Sequence, residues 1–156
     1  MFVKDAELHV KKVAMLNNLK WLAVLIPLLT TGCIGISSSG SPKETFVLQR
    51  SYQEAYKLAT LQAQQCWAND GEFPIKGQLD TATRTAQVSV TGGLGGSRYG
   101  QVDIRALDDQ NTEITTTVAG INIWDAAAIS AMHSALQFGV STCTNYMPSA
   151  RPVNKK

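Results

Sequence analysis

The sequence is poor in three features that would have advertised an occupation. The first is charge imbalance: 156 residues carry 14 Lys and Arg against 12 Asp and Glu. Residues 1–32 hold the surplus, with Lys4, Lys11, Lys12 and Lys20 against Asp5 and Glu7, and from Cys33 onward ten basic residues meet ten acidic ones. A neutral body argues against a nucleic-acid binder, whose phosphate contacts need a concentrated basic patch. The second is histidine: of two, only His133 lies beyond residue 33. The third is a long apolar run. Trp21 to Leu29 reads WLAVLIPLL, nine residues, where a membrane-spanning helix needs about 20. What remains is ordinary: 44% apolar and 17% charged residues suit a globular chain. The length suits one domain with a short appendage.

The appendage is N-terminal. Lys20, the apolar core and the small residues after it have the layout of a secretory signal. Pro27, Gly32, Gly35 and the serine run make the stretch a poor membrane helix. Met15 opens a more compact signal than Met1, which adds two acidic residues. The five residues Leu29 to Cys33, LTTGC, resemble the lipobox of bacterial lipoproteins, with Gly32 as the expected small residue before the cysteine. Thr30 departs from the pattern, since Leu is commonest there. The resemblance implies cleavage before Cys33 and diacylation (palmitate-type chains) on its sulfur. Two acyl chains make attachment durable, at about 0.8 kcal/mol per buried methylene. Ile34 in place of Asp after that cysteine implies the periplasmic leaflet of the outer membrane. The expected division is a signal peptide over 1–32, a lipidated flexible tether over 33–44, one domain over 45–146 and a loose tail over 147–156.

In the body, Ser51 and Glu54 form a capping box ahead of Tyr52, Tyr56, Ala59, Ala63 and Cys66, which share one helix face. Four segments then alternate apolar and polar residues. They centre on Phe73–Leu79, Ala86–Val90, Val102–Ala106 and Ile114–Val118, and Pro74 suggests an edge for the first. Asp125 caps a second helix whose stripe is Ile129, Met132, Leu136, Gly139 and Cys143. The order predicts an α+β two-layer sandwich: helix, antiparallel sheet of three to four strands, helix, with both helices on one sheet face.

The chemical signals are few. Gly92 to Gly96 lacks the Gly-Lys-Ser/Thr ending of a phosphate loop and joins two strands, so it reads as a hairpin loop. His133 flanks a helix stripe with no serine or acid at triad spacing, and reads as structural. Cys66, Cys143 and His133 match no zinc spacing. No catalytic residue, metal or cofactor is expected. With Cys33 acylated, Cys66 and Cys143 are the thiols left in an oxidising compartment, and a disulfide is expected; two buried free thiols are the alternative. Topology opposes the bond, because a tight meander leaves the helices antiparallel with their C-terminal ends at opposite edges. An oblique helix, or failure of the weak strand near Pro74, would reconcile the two.

These readings point to a lipid-anchored, periplasm-facing envelope protein that binds or scaffolds. Its partner surface would be the polar sheet face, with Tyr99 on it if the alternation holds. In architecture it is loosely similar to accessory lipoproteins of β-barrel assembly. A phage-type superinfection-exclusion or inhibitor lipoprotein is one alternative, and a small hydrolase using His133 is another.

Overall fold

The computed structural model describes residues 35–37, 39–93 and 95–144. The signal segment, the lipobox and Cys33, and the tail from 145 lie outside the described residues. The body is α+β: one open antiparallel sheet of five strands and two helices. In chain order these are β1 (Lys43–Leu48), α1 (Tyr52–Cys66), β2 (Ile75–Asp80), β3 (Thr85–Gly92), β4 (Ser97–Ala106), β5 (Thr112–Val118) and α2 (Ala126–Phe138). The spatial order is β1-β5-β4-β3-β2. Three to four strands were expected, and the fifth is β1. It lies partly inside the stretch read as tether, and it pairs with β5 from Lys43↔Thr117 to Leu48↔Thr112. Its residues Phe46-Val47-Leu48 do not alternate, which hid the strand from a period-two reading. The tether itself makes backbone bonds to the sheet, Ile36 N–H to the Arg98 carbonyl and Val118 N–H to the Pro42 carbonyl.

Alternation places Val88, Val90, Val102, Ile104, Ile114 and Val118 on one face, all buried. Helix α1 covers β2, β3 and β4, α2 covers β5 and β1, and the helices pack on each other. Ser51 caps α1 by accepting from the Glu54 N–H at 3.3 Å. The second half of the expected capping box is absent, because the Glu54 carboxylate turns to Arg50. Asp125 caps α2, accepting from the Ala127 and Ala128 N–H groups.

The helix α2 stops earlier than its apolar stripe suggests. Gly139 takes a left-handed conformation at φ 72°, which a side chain resists, and the chain reverses. Gln137 lies beside Arg50 at the start of α1, whereas Thr142 exchanges two hydrogen bonds with the Gln62 side chain. Residues after Gly139 thus run back along α1 and carry Cys143 to Cys66. The two cysteines lie at disulfide distance, with Cα atoms 5.2 Å apart. The topological objection to the bond assumed that Cys143 belongs to α2, and it does not. The segment after Pro74, expected to be the weak member, is β2, a paired edge strand.

A bulge in β4 corrects the placement of Tyr99. The pairing passes from Val90↔Gly100 to Thr91↔Arg98, so one extra residue is inserted and the alternation breaks. Tyr99 stacks on Trp124 with centroids 5.9 Å apart and meets Phe73 edge-on at 5.8 Å. Trp124 meets Trp67 at 5.6 Å. Trp67 lies so close over Gly100 that a Cβ there would sit 3.0 Å from its ring. The tyrosine therefore closes an aromatic cluster instead of decorating the polar face.

Candidate functional site

The face of the sheet turned away from the helices is polar in rows. Register aligns Gln78, Gln87, Asp103, Thr115 and Thr45 across all five strands. One flanking row is Asp80, Thr85, Arg105, Glu113 and Val47, and the other is Lys76, Ser89, Gln101, Thr117 and Lys43. Asp103 is the centre. Its carboxylate accepts from Gln87 Nε2 at 2.8 Å and from Gln101 Nε2 at 2.7 Å, and Arg98 in turn donates to Gln101. Arg105 pairs with Glu113 at 2.9 Å, and the Thr45 and Thr115 hydroxyls bond at 2.9 Å. Side chains held by their neighbours lose less entropy on meeting a partner. A shallow depression of about 420 Å³ opens here, lined by Gln78, Thr85, Gln87, Asp103 and Arg105 among others.

The turns at the row ends are also set. Asp80 accepts from the Ala82 and Thr83 N–H groups at 2.8 and 3.1 Å, and Thr83 chiefly holds its carboxyl below the ordinary aspartate value. Asp108 is lowered likewise, first by the Asn111 side chain and then by the Gln110 and Asn111 N–H groups. Arg84 ties these turns together through the Asp108 carbonyl and the Asp109 carboxylate.

His133 lies on the opposite side of the sheet, with α2. Its Nδ1 is 2.9 Å from Glu44 Oε1, and its ring stacks on Phe46 with centroids 3.9 Å apart. Glu44 lay in the presumed tether, so a sequence reading had no reason to bring it to His133. The only signal was Thr45-Phe46-Val47, a β-branched and aromatic run just before a helix cap. An imidazole and a carboxylate are two members of a hydrolytic constellation. Among the described residues no hydroxyl or thiol is hydrogen-bonded to His133, and it stands apart from Cys66 and Cys143, which pair with each other. Among the described residues, too, no three His, Cys, Asp or Glu side chains gather as metal ligands, and no helix is long and apolar enough to cross a membrane.

No known protein family matches the sequence, and no curated protein matches it. Solved structures of norcoclaurine synthase from Thalictrum flavum are similar at a distance. A point mutant with a transition-state analogue bound aligns at TM-score 0.33 and 9% identity, covering 64% of this chain and 92% of that one. A truncated form aligns at TM-score 0.27 and 10% identity, covering 65% and 95%. Likeness of that degree carries no argument about function.

Proposed function

We propose that this chain is a lipid-anchored envelope protein that faces the periplasm and works by binding or scaffolding. Cys33 is its point of attachment to the outer membrane, and the uncovered sheet face is its docking surface. The observation that supports the reading best is the Gln87–Asp103–Gln101 network at the centre of three aligned polar rows. Among the described residues nothing folds over that face, and its balanced charge suits a protein partner better than a phosphate backbone.

A photo-crosslinking residue at Thr115, beside Asp103 in the central row, tests this in intact cells. The expected result is a discrete adduct with one envelope protein, lost on Asp103→Arg. The companion Cys33→Ser change should move the chain out of the membrane fraction. An adduct that survives Asp103→Arg unchanged, or no adduct at all, removes the docking surface. Membrane retention of the Cys33→Ser chain removes the anchor.

A further inference from the structure

The strand β1 is an edge with nothing paired to its outer side among the described residues. The Val118 N–H donates to the Pro42 carbonyl. In an antiparallel ladder this fixes which residues face inward. Pro42, Glu44, Phe46 and Leu48 turn their backbone groups toward β5, while Lys43, Thr45 and Val47 turn theirs outward. Beside this edge a groove of about 350 Å³ runs between β1 and α2, lined by Phe46, Val47, Arg50, His133 and Gln137 among others. By helical period Ser130 and Ala126 continue the His133–Gln137 face with short side chains.

We infer that a second copy of this chain pairs with β1, edge to edge and antiparallel, about a two-fold axis through Thr45. That register uses every outward backbone group, since Thr45 meets the second Thr45, and Lys43 and Val47 meet each other twice. Six hydrogen bonds result. Side chains favour the same register. Val47 is 58% exposed, and the second copy's Lys43 lays its aliphatic stem over it. Beyond Val47, in the same row, stands Glu113. The ammonium of Lys43 must cross two strand spacings to reach that carboxylate, about 10 Å. An extended lysine and a glutamate close that distance between them. Lys43 has no ion pair in its own copy among the described residues, and across the axis it shares the Glu113 carboxylate with Arg105. The joined molecule carries one continuous ten-stranded sheet, and isologous pairing of this kind closes as a dimer.

The other edge is less suited. In β2 the outward residues are Ile75, Gly77 and Leu79, so a two-fold pairing would centre on glycine. Pro74 stands at its entrance, and the Tyr56 ring sits over Gly77. Glycine and proline both weaken an added ladder.

The test uses the full chain in neutral detergent, its mass measured by sedimentation across the micromolar range. A dimer is expected. Thr45→Pro removes an outward N–H together with the hydroxyl that bonds Thr115, and leaves the β1–β5 ladder its donors; it should weaken association about tenfold or more, with the far-ultraviolet spectrum of the folded chain retained. Lys43→Glu, which sets two carboxylates together, should weaken it similarly. A photo-crosslinker at Val47, in cells expressing two differently tagged copies, should join the tags. A wild-type chain that stays monomeric overturns the inference. So does a dimer indifferent to both substitutions, or an adduct from position 47 to other proteins alone.

Discussion

Two regions hold α2 to the rest of the molecule, and they are made of opposite materials. At the end of the body where α1 finishes, Trp67, Phe73, Tyr99 and Trp124 pack edge and face, and Cys66 meets Cys143 beside them. Cys66, Trp67 and Trp124 are nearly or fully buried there. At the β1 edge, α2 is held instead by the His133–Glu44 pair and the Phe46 ring under it, with 34% and 41% of the two polar side chains exposed. The first region is dry and tied across distant parts of the chain. The second is wet and lies at an edge strand whose outer side is unpaired among the described residues. A small body can leave one edge open to partners when its stability is concentrated elsewhere.

Three variants test that division. Trp124→Ala should cost the most, about 3–5 kcal/mol, because it opens a cavity against three other aromatic rings. Denaturant unfolding reads it as a lowered midpoint, and a loss below about 1 kcal/mol would mean that the cluster is not the keystone.

Replacing Cys66 and Cys143 together by Ala should cost about 2–4 kcal/mol, since the bond closes a separation of 77 residues. Thiol counting on the denatured, unreduced, exported protein should find neither sulfur free. Two titratable thiols would return the pair to the buried-thiol alternative.

His133→Ala should cost least, under about 1 kcal/mol, because a polar pair this open to water contributes little. A penalty matching that of Trp124→Ala would erase the contrast between the two regions.

Much of the body was legible because its signals are local. Ser51 and Asp125 cap their helices from adjacent residues. The alternation of Val88 and Val90, or of Val102 and Ile104, assigns a buried face whatever the neighbours are. The pairing of Cys66 with Cys143 was also legible, from the short supply of thiols, although the path that achieves it was not. Non-local features escaped. Strand β1 exists because β5 supplies its ladder, and six residues without alternation do not declare that partner. Tyr99 changed faces through a bulge set by its pairing with β3.

By itself, then, the sequence determined the two helices, four of the strands and the apolar face. These follow from side-chain periodicity and from chemistry carried by neighbours in the chain. Only the tertiary structure decided the fifth strand, the meeting of Glu44 with His133 and the return of the chain from Gly139 to bring Cys143 to Cys66. Each joins groups separated by tens of residues, 89 for the first pair and 77 for the second. Such contacts arise when separate elements bury a common apolar face, and no local pattern encodes which distant group will be opposite.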